Sequence, residues 1–161
     1  MRLYRWRRKA RVSAYMLSAP PVGYAEHLQW LEATLRDARR SVHIFGYGDR
    51  PLGQLNALWT GAESAEIGYY IGEDDAPRGS GVVMLHLGMT DIFEKSGAAN
   101  VFAKILSENE RSLRLIARMR FSLVRTESHD GRAVLVFALS QSDFLSQRKA
   151  IWADVSSITA G

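Results

Sequence analysis

Hydrophobic residues along this chain recur with two periods, and the switches between them mark out eleven elements. Trp6, Val12, Tyr15 and Met16 follow a helical stripe over residues 4–17. Ser18-Ala19-Pro20-Pro21 should end it, because proline cannot continue a helix and disfavours helical backbone in the residue before it. After Gly23, Leu28, Leu31 and Leu35 with Trp30 predict a second helix to about residue 38, its polar face carrying Glu26, Glu32, Arg36 and Asp37. Three strand-like runs follow, over 41–47, 52–60 and 65–71, separated by Gly48-Asp49-Arg50-Pro51 and Gly61-Ala62-Glu63. Short turns between such runs predict an antiparallel meander.

The helical period returns at Gly81, where Val82, Leu85, Met89, Ile92 and Phe93 recur until Ser96-Gly97 closes the helix. A strand over 98–106 and a helix over 109–119 come next. Strands at 121–126 and 133–139 flank Ser128-His129-Asp130-Gly131, whose Asp-Gly pair favours a tight hairpin. A last amphipathic helix is expected from 142 to about 155. The order ααβββαβαββα predicts an α/β fold of the α+β kind: a mixed sheet with helices on both faces and one strand-helix-strand crossover through residues 65–106. With 161 residues and no internal repeat, the chain is expected to be one domain over 1–161.

Composition narrows the chemistry. With 47% hydrophobic and 24% charged residues the chain reads as an ordinary globular protein. It has no cysteine, which excludes disulfides, thiolate zinc sites and a cysteine nucleophile. His27, His43, His86 and His129 are scattered without an i, i+4 pair, so no metal is expected. The net charge of +4 is concentrated in residues 4–11. Acids and bases are interspersed elsewhere, which argues against nucleic acid as a partner and suits a phosphorylated small ligand equally well. The N-terminus lacks the apolar run of a signal peptide, and no segment approaches the roughly 18 apolar residues a membrane helix needs. A cytoplasmic location is therefore expected, with no membrane partner.

Arg78-Gly79-Ser80-Gly81 lies between a predicted strand and a predicted helix, the context in which a glycine loop becomes a phosphate cradle. It lacks both the lysine of a triphosphatase loop and the dinucleotide pattern of glycines. A plain turn before a helix remains the alternative. Asn109 reads as a helix cap. Tyr15, Met16, Trp30 and Trp59 read either as core or as the lining of an acceptor pocket, and His86 as a packed residue or a pocket one. Arg7, Arg8 and Lys9 read as a solvated basic segment or as partners for a diphosphate.

Three segments together resemble successive motifs of the GCN5-related N-acetyltransferases (GNAT): the strand Ala65-Glu66-Ile67-Gly68-Tyr69-Tyr70-Ile71, the Arg78-x-x-Gly81 loop, and Asn109-Glu110-Arg111-Ser112 followed by Met119-Arg120-Phe121. The resemblance covers roughly residues 4–140. It implies acetyl-coenzyme A as acetyl donor without a metal, a strand that splays from its parallel neighbour to open a slot, and a single transferase domain. The implied cofactor-binding residues are Tyr69, Tyr70, Ile71, Arg78, Gly79, Ser80, Gly81, Val82, Val83, Asn109 and Ser112. Trp6-Arg7, the block Glu26-His27-Leu28-Gln29-Trp30-Leu31 and Glu66-Ile67-Gly68-Tyr69-Tyr70-Ile71 look like the subgroup acting on a nucleotide-linked amino sugar in pseudaminic acid synthesis. Ribosomal-protein N-acetyltransferases share much of that pattern.

What the resemblance implies for mechanism is direct attack by a small-molecule amine acceptor; Glu66, on the strand beside the slot, is the first candidate for the base or else a solvated strand glutamate paired with an arginine, and His86 is the second candidate. Backbone N–H groups near Tyr69 to Ile71 would act as oxyanion donors, and Tyr15, Met16, Trp30, Trp59 and His86 would line the acceptor pocket. The chain departs from the pattern at Val83, where Gly or Ala is usual, at Arg120, where Gly is usual, and at Ile116, where many members place an acidic tyrosine. Ser112 or water is left to serve the leaving thiolate. These departures keep a coenzyme A-binding pseudoenzyme open, and the oligomeric state is open too, a homodimer included. The usual first strand is expected to be short or missing, because Met1-Arg2-Leu3 is too short to supply it.

Overall fold

The computed structural model describes residues 1–18 and 23–159, with 154–159 described by backbone alone. The elements are α1 (Arg2–Arg8), α2 (Ala10–Ser13), α3 (Tyr24–Arg36), β1 (Arg40–Tyr47), β2 (Arg50–Trp59), β3 (Ser64–Ile71), α4 (Ser80–Lys95), β4 (Asn100–Leu106), α5 (Glu110–Arg118), β5 (Ser122–His129), β6 (Arg132–Ser140) and α6 (Gln141–Thr159). The predicted order holds, with one difference: the single helix expected over 4–17 is two. Lys9 is extended between them, with ψ at 129°. Its ammonium donates to Gly72 O at 2.8 Å and to Asp74 Oδ2 at 2.7 Å, contacts made possible by breaking the helix there. The proline stop predicted at Pro20-Pro21 lies outside the described residues.

The six strands form one sheet in the order β1-β2-β3-β4-β6-β5. Every pairing is antiparallel except β3 with β4. That parallel pair is short: Ser64 to Ile67 face Asn100 to Ala103, and pairing stops there. Both strands continue, β3 to Ile71 and β4 to Leu106, with β2 and β6 holding their far edges. The sheet is thus open between Gly68–Ile71 on one side and Lys104–Leu106 on the other.

The larger core lies between the sheet and α4, α5 and α6, where Leu85, Met89, Ile116, Met119, Phe144 and Ile151 are all fully buried. Burial of this kind is worth roughly 1.5–3 kcal/mol per large side chain, which fixes the helices on that face. α1 to α3 cover the other face. Trp6 anchors them: it is 2% exposed, and its indole N–H donates to Glu73 Oε1 at 3.0 Å. Gly72 permits this, since a Cβ there would lie 2.1 Å from the indole ring.

Two turns follow from backbone chemistry. Asp130 and Gly131 both have positive φ, 50° and 76°, which is the type I′ hairpin that Asp-Gly favours, and His129 pairs directly with Arg132. At the end of α5, Phe121 N donates to Ile116 O and Arg120 N to Ala117 O, closing the helix with Arg120 left-handed at φ 62°. That conformation is why glycine is usual at such a position.

Candidate active site

The open wedge between β3 and β4 is continuous with a cavity of about 830 Å³ that passes through the sheet. Side chains alternate along a strand, so Glu66, Gly68 and Tyr70 belong to the α1–α3 face, and Ile67, Tyr69 and Ile71 to the α4–α5 face. Arg7, Tyr15, Met16 and Trp30 line the cavity on the first face; residues 76–82, Asn109 and Ser112 line it on the second. The same alternation orients the main chain. Gly72 N donates to Leu52 O, so the amides of Gly68 and Tyr70 are directed to β2, and those of Tyr69 and Ile71 to the side where β4 has diverged. Tyr70, expected among the cofactor contacts, lines the cavity from the α1–α3 face. Its main chain belongs to the β2 ladder, and its hydroxyl donates to Gln54 Oε1 on the α1–α3 face.

On the second face, Gly79 has φ 87°, and α4 starts at the next residue without an acid in its first turn. The N–H groups of Gly79 and Gly81 bond to no protein group among the described residues, and they stand at the positive end of a sixteen-residue helix. Other amides of this loop are occupied, although Ser80 and Val82 line the cavity. Ser80 N donates to Pro77 O at 3.1 Å, while Val82 N and Val83 N donate to Gly79 O at 2.9 and 3.1 Å. The Ser80 hydroxyl also donates to Pro77 O, at 2.6 Å. Val83 packs against the core and does not line the cavity, so it does not crowd the loop. Arg78 lines the cavity and has no ion-pair partner among the described residues.

The acids ahead of the loop are paired with the N-terminal bases. Asp74 holds Lys9 and Arg11, Asp75 holds Arg50, and Glu73 accepts from Trp6. This pairing uses part of the basic segment to clamp α1 and α2 onto the loop and removes negative charge from its approach.

Asn109 caps α5, its Oδ1 accepting from Ser112 N at 3.2 Å. Ser112 faces the cavity beside Tyr69. Burial pushes the Tyr69 phenol well above its usual pKa; Ser112 offsets part of this, yet the buried Tyr69 hydroxyl completes no hydrogen bond. Ile116 is fully buried in the core one helical turn on. On the first face, Glu66 Oε2 lies 2.9 Å from Lys104 Nζ, each about one-third exposed, with no other protein partner for the carboxylate among the described residues.

Two expected pocket residues are elsewhere. Trp59 packs on the core at the end of β2. His86 is on the outer side of α4, its ring centre 5.6 Å from that of Phe144 and 4.8 Å from that of Trp152, with Nε2 3.4 Å from Arg148 O. Both sit on helical or strand faces turned away from the wedge. Sequence reading passed over Gln54, Asn56, Arg40 and Lys104, which line the cavity. The signal for two of them was present: Gln54 and Asn56 are polar at alternate positions of a central strand whose intervening residues are apolar.

Among the described residues no group of histidines or acids could hold a metal, and no helix is long and apolar enough to cross a membrane.

The family model for an acetyltransferase (GNAT) domain matches residues 1–122. No curated protein matches the sequence. Solved structures that the chain resembles include the spermidine N-acetyltransferase of Vibrio cholerae in complex with coenzyme A and spermine, at 12% identity and TM-score 0.80, covering 89% of this chain and 90% of that one. Another is the N-acetyltransferase PseH of Campylobacter jejuni, at 16% identity and TM-score 0.68 with 86% of each chain covered. A third is RimJ of Mycobacterium smegmatis in complex with coenzyme A disulfide, at 21% identity and TM-score 0.63 over 76% of this chain and 67% of that one. Likeness at these identities shows a shared fold.

Proposed function

The chain belongs to the GNAT acetyltransferase family, and from that premise we propose that it moves the acetyl group of acetyl-coenzyme A to the primary amine of a nucleotide-linked amino sugar. The observation that carries this reading is the wedge beyond Ile67 and Ala103, with an anion cradle on one face of the sheet and the Glu66–Lys104 pair on the other. Gly79 and Gly81 amides, the end of α4 and Arg78 fit the diphosphate of acetyl-coenzyme A, with Asn109 and Ser112 alongside. When bound, that molecule supplies an activated acetyl thioester.

The chain's own groups then have separate tasks. Glu66 accepts a proton from the acceptor amine, directly or through water; Lys104 fixes its carboxylate. The gap-facing amides of Tyr69 and Ile71 are donors for negative charge developing on an oxygen in the wedge. Ser112 and the unpartnered Tyr69 hydroxyl hold protons on the thiolate side, where Ile116 has none to give. The acceptor itself is selected by charge. Of the bases on the α1–α3 side of the cavity, Arg11, Arg40 and Lys104 are paired with Asp74, Asp37 and Glu66, while Arg7 has no carboxylate among the described residues, which disfavours a polycation such as spermine and favours an acceptor carrying phosphates. The exposed Tyr15 ring suits a sugar face.

Thiol release from acetyl-coenzyme A tests this with nucleotide-linked amino sugars, polyamines and N-terminal peptides as acceptors. Turnover with the sugar supports the reading, and turnover confined to peptides replaces it with a ribosomal-protein type of activity. The buried Ile116 favours one other reading, a coenzyme A-binding protein without transfer. It predicts that acetyl-coenzyme A raises the melting temperature while no amine is acetylated.

A further inference from the structure

Arg7 is a cation buried in the cavity wall without a carboxylate partner among the described residues. It is 7% exposed, and its guanidinium carbon lies 4.4 Å from the ring centre of Trp30. Nη2 donates to Ser18 Oγ at 3.2 Å, and the buried Nε has no acceptor among the described residues. No acid stands within ion-pair distance of it among the described residues. The titratable groups nearest it are Tyr70, whose phenol burial keeps neutral, and His27, which is 2% exposed and stacked on Trp30 at 5.5 Å. Burial, and then the Arg7 charge itself, lower the His27 pKa, so this neighbour is neutral too.

A buried charge without a counter-charge is unfavourable, and one hydroxyl contact does not repay it. α1 is nonetheless held in place by Trp6, Lys9 and Arg11, whose contacts force Arg7 inward. Trp30 covers one flat side of the guanidinium, and stacking of this kind leaves the N–H edge available for the paired oxygens of a phosphate or carboxylate. Arg7 is on the α1–α3 face with Tyr70 and Gln54. The glycine loop is on the opposite one, with the Gly81 Cα against Ile71 and Leu115. An anion at Arg7 therefore belongs to the acceptor and not to the acetyl donor.

We propose that Arg7, stacked on Trp30, is the seat of an anionic group, phosphate or carboxylate, carried by the acceptor amine. The inference rests on the acetyltransferase reading for the identity of that amine, and its direct test does not. Inorganic pyrophosphate and citrate are titrated into the wild-type chain and Arg7→Gln without acetyl-coenzyme A, and the melting temperature is followed. Wild type should gain more stabilisation than the variant, from pyrophosphate if the seat takes phosphate and from citrate if it takes carboxylate. Equal gains in the two proteins overturn the proposal even if no amine is ever turned over.

Where transfer occurs, an amino sugar is compared as its nucleotide conjugate, its 1-phosphate, its carboxylated form and its neutral form. Arg7→Gln should raise KM for the anionic acceptors about ten- to a hundredfold. The rise for the neutral acceptor should be several-fold smaller, the acetyl-coenzyme A Kd should be unchanged, and Arg7→Lys should recover part of the loss. An equal rise for the neutral acceptor, or a weaker Kd for acetyl-coenzyme A, overturns it. Circular dichroism checks folding, and if Arg7→Gln does not fold, Arg7→Lys, which keeps the charge and loses the fork, carries the same comparison.

Discussion

Ile67 is paired with Ala103, and neither strand is paired across that edge beyond them. Through the wedge that begins there, a group held by the α4 loop and a group held under α1 and α3 can meet across the sheet. A proton acceptor placed in it has access to both.

Glu66 lines that wedge with a carboxylate whose one partner among the described residues is Lys104. Glu66→Gln is expected to lower kcat by about a hundredfold or more, the usual worth of a positioned base. The stabilisation of the fold by acetyl-coenzyme A should not change. Steady-state kinetics and thermal shift on the same preparation check the two halves of this expectation.

Tyr69→Phe should separate stability from rate. The hydroxyl is buried without a hydrogen-bond partner among the described residues, so its removal costs the fold little and can return up to about 1 kcal/mol. If the hydroxyl serves the thiolate side, single-turnover transfer slows several-fold in the same variant. Urea unfolding alongside rapid-quench kinetics reads both; a variant that is destabilised and fully active would remove Tyr69 from the mechanism.

Gly79→Ala places a side chain at φ 87°, which costs roughly 1–2 kcal/mol. Because one of the two open amides is there, the acetyl-coenzyme A Kd should rise at least about tenfold if the loop loses its shape. Gly97→Ala is the control: φ is 73° with open space around it, so it should lose similar stability with no change in Kd. Calorimetry and titration distinguish them.

Gly72→Ala would drive a Cβ to 2.1 Å from the Trp6 ring. Overpacking of this sort costs about 1–3 kcal/mol, and displacement of Trp6 also breaks its bond to Glu73. Gly61→Ala, with nothing within 4 Å, should be neutral. Intrinsic tryptophan fluorescence and melting temperature report the difference.

Acid should loosen the helices on both faces. Burial lowers the pKa of His27 under α3 and of His86 between α4 and α6. The unfolded chain then binds more protons than the folded one, so stability is full above the unfolded value of about 6.5 and falls as pH drops through the folded values. Melting temperature should decline from pH 7 to pH 5, and His27→Gln with His86→Gln should flatten that slope. A slope unchanged in the double variant would assign the acid sensitivity to other groups.

Much of the fold was legible along the chain. The order of elements followed from where the period changes between two and 3.6, which is a local property. The Asp130-Gly131 turn was legible because few dipeptides tolerate positive φ at both central positions. The loop at Arg78 to Gly81 was legible as strand, glycines, helix. Periodicity also marked Trp59 and His86 as apolar-face or pocket residues, but it could not say which side of the sheet the pocket would use.

Sequence by itself thus determined the succession of helices and strands, the tight hairpin and the loop that starts α4, since each depends on backbone preferences of neighbouring residues. Tertiary structure decided which amides stay open, because hydrogen-bond direction along β3 is set by its register with β2. It broke the first helix at Lys9, because Gly72 and Asp74 lie sixty-odd residues away and offer that ammonium better partners than another helical turn. It also turned Arg7 inward, since only packing against Trp30 and the sheet can take a residue of a basic segment out of water.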